Sequence, residues 1–189
     1  ARLLKTYSPD NYYSVEFVWF NGEEFGLWGS KNYMRMHKDD SIAAMINMDM
    51  IGTPTGFNVM GFDDFVPFFE KLKSELAGFN LTDGVKSKPG TNSDHMSFMF
   101  AGIPTFEIES HLDENMYQFY HERGDTFDKV NIKYLSDASA VAAITLKVLA
   151  NASGLNYARR SEKEMVRLFK QYGLDKRLKR QGEWIYKEE

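Results

Sequence analysis

One stretch of the chain decides the fold: FVWFNGEEFGLWGS, residues 17–30. Residues 14–20 are rich in β-branched and aromatic side chains and are followed by an Asn-Gly turn signal, so we predict a strand there. Glu23 and Glu24 come directly after it, in a turn that two flanking glycines permit. On an ordinary surface turn such a pair is simply solvated. At a strand end, one carboxylate can bind a metal while its neighbour reaches a metal-bound water.

Strand and helix patterns alternate along the rest of the chain, which is typical of an α/β sandwich with functional groups at the strand ends. Apolar, β-prone runs predict further strands at residues 41–48, 57–60 and 105–108. Apolar spacing of three and four predicts helices at residues 27–36, 63–77, 132–152 and 161–172, with a short helix near 94–100. We expect loops at residues 84–91 and between 109 and 131.

Composition restricts the classes of protein to consider. The 189 residues are 43% apolar and 15% aromatic, which fits one globular domain. A net charge of −4 with no single-sign domain argues against a nucleic-acid partner, and no apolar run approaches the roughly 20 residues of a membrane span. The sequence has no cysteine, so any metal must be held by His, Asp or Glu.

Three other positions are candidates for the same site. Asp49 follows the apolar strand candidate 41–48, and His121 lies in the segment YHERGDT, residues 120–126. His95 follows Asp94 at a helix start, where a supporting hydrogen bond or a place in the substrate pocket is expected rather than metal ligation.

The sequence resembles the zinc aminopeptidases of metallopeptidase family 28. The resemblance rests on residues 17–30 and on three later segments in the family's order: residues 47–52 (NMDMIG), 93–104 (from SDH to GIP) and 120–126. It implies a three-layer sandwich in which helices flank a mixed, mostly parallel sheet, as in zinc exopeptidases of the phosphorylase/hydrolase-like type. It also implies two zinc ions per site.

The resemblance assigns a role to each matching residue. Glu23 would be the general base, Glu24 and His121 would bind one zinc, Asp49 would bind the other, and Tyr120 would help to hold the oxyanion. Such roles are physically consistent, because a carboxylate base must reach the attacking water and a phenol can donate to developing negative charge.

A carboxylate can also orient a ligand imidazole from behind, and Asp94 and Asp125 are the candidates for that role.

Two features of the family pattern have no counterpart here: a histidine upstream of the acidic pair and an aspartate that bridges both metals. We therefore expect residues 1–189 to form a single, N-terminally truncated zinc-exopeptidase-like domain, in which residues 155–189 are a helical C-terminal extension. Zinc occupancy would be reduced unless a missing N-terminal segment or a neighbouring chain completes the site.

The predicted function is zinc-dependent removal of N-terminal residues from peptide substrates, in a parent protein that the resemblance places in the periplasm or outside the cell. Two alternatives stay open. One is a catalytically silent binding module on the peptidase scaffold, which the absent ligands favour. The other is a glutaminyl-cyclase-like acyl transfer on the same fold.

Overall fold

The structure is a computed structural model and describes residues 1–187. A four-stranded sheet forms its centre. The strands are β1 (Met45–Asn47), β2 (Thr53–Asn58), β3 (Gly84–Lys86) and β4 (Thr105–His111). Their spatial order is β1-β4-β2-β3, with β1 parallel to β4, β2 parallel to β3, and β2 antiparallel to β4. The predicted α/β fold with a mixed, mostly parallel sheet is confirmed.

Helices flank this sheet. In chain order they are α1 (Arg2–Tyr7), α2 (Trp28–Met36), α3 (Val66–Glu75), α4 (His95–Phe100), α5 (Ile132–Leu149), α6 (Glu162–Gln171) and α7 (Leu174–Gln181). Short 3-10 helices occur at Asp63–Phe65, Glu114–Phe119 and Phe127–Lys129. Within the described residues, no helix is both long and apolar enough to cross a membrane.

Local sequence signals explain where the longer helices begin. Asn131 caps α5, because its side chain accepts hydrogen bonds from the backbone of Lys133 and Tyr134. Ser161 and Glu164 form the reciprocal capping box that starts α6, as their spacing predicts. Both helices then bury one apolar face, which confirms the predicted periodicity.

The clearest differences from the prediction are in two segments; in addition, β4 extends to His111, three residues into the predicted loop. Residues 14–20 are not a strand but an irregular, largely exposed segment, in which the Trp19 side chain is 86% exposed. A β-prone sequence needs a neighbouring strand to pair with, and none of the four strands described here pairs with this segment. Residues 84–86 are β3 rather than loop, because pairing with β2 overrides the local Gly and Lys signals.

Aromatic side chains fill the main core between the sheet and its helices. Phe69 of α3 is fully buried and contacts Phe57 of β2 and Phe106 of β4, with ring centroids 5.0 and 4.8 Å apart. Val141 of α5 and Met165 of α6 belong to the same cluster. The core thus joins α3, α5 and α6 to the central strands β2 and β4.

Of the predicted extension 155–189, residues 188–189 lie outside the described part of the chain. The rest contains α6, α7 and a short terminal segment. Tyr186 in that segment donates a hydrogen bond to the Phe100 carbonyl at 3.1 Å, so the extension packs back onto α4.

The core predicts a large stability difference between two phenylalanines. Phe69→Ala should lower the free energy of unfolding by about 3–5 kcal/mol, because it removes a fully buried ring and leaves a cavity. Phe127→Ala is the matched control, since that ring is 86% exposed, and it should change the value by less than about 0.5 kcal/mol. Urea unfolding measures the free energy of unfolding of both variants. Equal losses of stability would refute this description of the core.

Candidate active site

The acidic pair lies in a compact turn between the irregular segment 14–20 and α2. The Glu23 carbonyl accepts hydrogen bonds from the backbone N–H groups of Gly26 and Leu27, both at 2.9 Å. Gly22 and Gly26 have positive φ values of 72° and 107°, as the sequence predicts for this turn. At Gly29 a Cβ atom would lie 2.6 Å from the Asn21 carbonyl oxygen, so only glycine fits where α2 begins.

Glu24 and His121 meet across the loop that follows β4. The His121 Nε2 atom lies 2.9 Å from Glu24 Oε2, although the two residues are almost a hundred positions apart. His121 has a φ of 60°, in the left-handed region, and its ring stacks on Tyr120 with centroids 3.7 Å apart. This conformation turns the imidazole toward the acidic turn.

A hydrogen-bond network holds Asp49 two residues beyond β1. Asp49 Oδ2 accepts a hydrogen bond from the Ser93 hydroxyl at 2.7 Å, and Oδ1 accepts one from the Met50 backbone at 2.8 Å. Asn47 Nδ2 donates to Ser93 Oγ at 3.1 Å and lies 3.2 Å from His95 Nδ1. The Asp49 carboxylate is therefore fixed from β1 and from the start of α4.

His95 is buried at the first position of α4 and is 1% exposed. Burial lowers its pKa to about 4, so the imidazole stays neutral and can accept from Asn47. The structure thus places His95 behind Asp49, as part of its support.

Negative charge accumulates around Glu23. Burial, followed by the charges of Asp49, Glu24 and Asp94, raises the pKa of Glu23. Burial and the Asp49 charge also raise the pKa of Asp94, against a hydrogen bond with Ser30 that lowers it. The turn, the end of β1 and the start of α4 therefore bring their carboxylates into one electrostatic environment.

Tyr120 belongs to the same environment. Burial raises the pKa of its phenol, and the charges of Glu24, Asp49 and Glu23 raise it further, so the hydroxyl remains a proton donor. Asp125, in contrast, is exposed, and His121 pairs with Glu24 rather than with it.

The profile of Peptidase family M28 matches residues 1–146, more than three quarters of the sequence. The chain belongs to peptidase family M28. Among curated proteins, leupeptin-inactivating enzyme 1 of Streptomyces exfoliatus is 30% identical over 70% of this chain. A probable leucine aminopeptidase of Trichophyton verrucosum is 27% identical over 75%. The chain spans only 35% and 40% of the lengths of these two relatives.

Solved structures of M28 proteins share the fold. The M28 peptidase precursor of Shewanella amazonensis aligns with a TM-score of 0.59 at 23% identity, covering 75% of this chain and 32% of that one. An aminopeptidase from Aneurinibacillus sp. strain AM-1 aligns with a TM-score of 0.50 at 25% identity, covering 75% of this chain and 36% of that one.

The family implies zinc, and the residues of this M28 chain fit part of a zinc site. Glu24 and His121 supply the oxygen and nitrogen donors that zinc takes, already side by side. Among residues 1–187, however, no group of three His, Asp or Glu side chains is arranged to hold a metal. A catalytic zinc usually has three protein ligands.

Glu107 is a partly buried acid whose pKa responds to the charge of Asp49, and the sequence analysis did not identify it. It lies on β4, in register with Asn47 of β1 and Asn58 of β2, so the three polar side chains form a row on one face of the sheet. Burial, with the charges of Glu109 and Asp49, raises the pKa of Glu107 to about 7. The sequence signal that could have identified Glu107 is a single acidic residue inside the apolar run TFEI, residues 105–108.

The raised pKa of Glu107 predicts how stability depends on pH. Between its ordinary value of 4.5 and about 7, the folded state binds more protons than the unfolded state, so stability falls as pH rises. Replacing Glu107 with glutamine removes this loss of stability at higher pH. After allowing for partial solvent screening, we expect it to stabilise the protein by about 1–2 kcal/mol at pH 8 and by much less at pH 4.5.

Urea unfolding at the two pH values tests this. The exposed Glu122→Gln serves as the control and should show no such difference. A Glu107→Gln variant with the same pH dependence as wild type would contradict the assignment.

Proposed function

We propose that this chain carries part of the active site of a zinc-dependent aminopeptidase, which hydrolyses the N-terminal peptide bond of a peptide substrate. The observation that best supports this proposal is the contact between Glu24 and His121 at 2.9 Å, with Glu23 next to Glu24 in the same turn. The curated M28 relatives named as aminopeptidases support the choice of reaction. A periplasmic or extracellular location of the parent protein is part of the proposal.

Glu24 and His121 would hold one zinc ion, and Asp49 would contribute to a second. Bound zinc polarises the substrate carbonyl and makes water more acidic. A further segment or a neighbouring chain would supply the remaining ligands. The rigid support of Asp49 by Ser93 and Met50 suits a ligand whose oxygen atoms must keep a fixed direction.

Glu23 would act as the general base. Its raised pKa makes the carboxylate a better proton acceptor than an exposed glutamate, and it can later return the proton to the leaving amine. Its position beside Glu24 means that one turn supplies both a ligand and the base.

Tyr120 would donate a hydrogen bond to the oxyanion that forms at the scissile carbonyl. A neutral phenol is required for this, and burial together with the surrounding carboxylates raises the pKa of Tyr120. Its stacking on His121 places the donor next to the proposed ligand.

A catalytically silent binding module is the second candidate, and the absence of a three-ligand group in residues 1–187 favours it. Elemental zinc analysis of the chain, paired with hydrolysis of a panel of aminoacyl p-nitroanilides, separates the two. Zinc with turnover supports the peptidase. A zinc-free, inactive chain, set against an active longer parent, would mean that other segments complete the site. Inactivity in both would rule out the aminopeptidase and favour the silent module.

Glu23→Gln tests the base. In the active protein, kcat should fall by about 10²–10⁴-fold, because the amide cannot accept a proton, while zinc content stays the same. Glu122→Gln, an exposed acid one residue after His121, is the matched control and should keep wild-type kcat. Normal turnover by Glu23→Gln would disprove its role.

His121→Ala tests the proposed ligand pair. Loss of the imidazole should weaken zinc binding by about tenfold or more, since only Glu24 remains at that position. His37→Ala is the control, because that histidine pairs with Asp40 at the end of α2, well outside the proposed ligand set. Zinc titration with a competing chromophoric chelator measures both; equal affinities would exclude His121 as a ligand.

A further inference from the structure

The C-terminal extension contacts the acidic turn from behind. Leu178 of α7 is fully buried and packs with Leu27 and Met96 in a small apolar cluster separate from the main core. Leu27 ends the turn that contains Glu23, and Met96 follows His95 in α4. The family match ends at residue 146, so α7 lies beyond the part of the chain that the family profile recognises.

Leu27 connects the C-terminal extension to the backbone of the proposed base, Glu23. Its backbone N–H donates to the Glu23 carbonyl at 2.9 Å, so its position fixes the backbone of the proposed base. Its φ of 60° lies in the left-handed region, which a residue with a branched side chain adopts only when its surroundings enforce it. The buried residues that share an apolar cluster with Leu27 are Met96 and Leu178.

Polar contacts hold the extension in place on the same side. Lys31 of α2 pairs with Glu183 at 2.5 Å, with both side chains about a third exposed. Trp184 packs against the small cluster, and Tyr186 bonds to the Phe100 carbonyl. Helix α2, helix α4 and the extension are therefore connected by both apolar and charged contacts.

We propose that residues 174–186 form a C-terminal clamp that holds Leu27 in its left-handed conformation and so positions Glu23 for catalysis. Leu178 is then a positioning residue, acting on the base through Leu27. The catalytic consequence rests on the proposed peptidase function, whereas the structural consequence does not.

The structural arm of the test is hydrogen exchange on the zinc-free chain. Leu178→Ala should increase exchange at the amides of Gly26, Leu27 and Trp28 by about tenfold, because the clamp no longer enforces the turn. Leu149→Ala removes a similarly buried leucine from the main core and should leave these three amides within about threefold of wild type. Equal exchange in both variants would overturn the clamp.

The catalytic arm uses the active protein. Leu178→Ala should lower kcat by about tenfold with KM nearly unchanged, since a displaced base affects the chemical step more than substrate binding. Leu178→Met, which restores volume, should recover most of kcat. Leu149→Ala should retain wild-type kcat at a temperature where both alanine variants are folded.

Should Leu178→Ala fail to fold, the charged contact provides an independent test. Lys31→Glu and Glu183→Lys should each increase hydrogen exchange at the turn amides. The double variant, which carries both substitutions and restores an ion pair with the charges swapped, should restore protection. No restoration would count against the clamp. Protection that responds as expected, when neither the chain nor a longer parent protein hydrolyses any substrate, would instead count against the proposed function and leave the clamp standing.

Discussion

The hydrogen bond from Ser93 to Asp49 is the contact on which the site depends. It joins the end of β1 to the start of α4, two elements separated by more than forty residues in the chain. Asn47 extends the connection inward to the buried His95, so the network lies in an environment where hydrogen bonds are strong and unpaired groups are costly. The charge of this carboxylate acts on Glu23 in the acidic turn and on Tyr120 beside His121.

Excess negative charge is the physical consequence of this arrangement. Burial is the largest cause of the raised pKa of Glu23, Asp94, Glu107 and Tyr120, and the charge of Asp49 raises each of them further, so one carboxylate acts on groups from four separate segments. Such repulsion destabilises the fold, and a bound cation would relieve it. The concentration of carboxylates therefore supports the zinc site proposed above, in a chain that belongs to a family of peptidases.

The parts of the fold that follow from short-range rules could be predicted from the sequence. The apolar spacing of α5 and the capping box of α6 depend on neighbours within a few residues, and both elements form as expected. Residues 14–20 and 84–86 could not be assigned correctly, because strand formation depends on a partner that the local sequence does not identify.

The candidate site shows the same division between local and distant information. Positive φ values at Gly22 and Gly26 follow from the sequence of the turn, but the contact of Glu24 with His121 was accessible only through resemblance to a family. Glu107 was missed because the main cause of its raised pKa is burial, in a sheet whose neighbouring strands β1 and β2 are distant in sequence; the charges of Glu109 and Asp49 raise the pKa further. Leu27 depends on both kinds of information. Its position in the turn follows from the nearby sequence, whereas its strained backbone depends on Leu178, about 150 residues away. A motif therefore specifies which groups can react, and the packing behind it determines whether they are held where the reaction needs them.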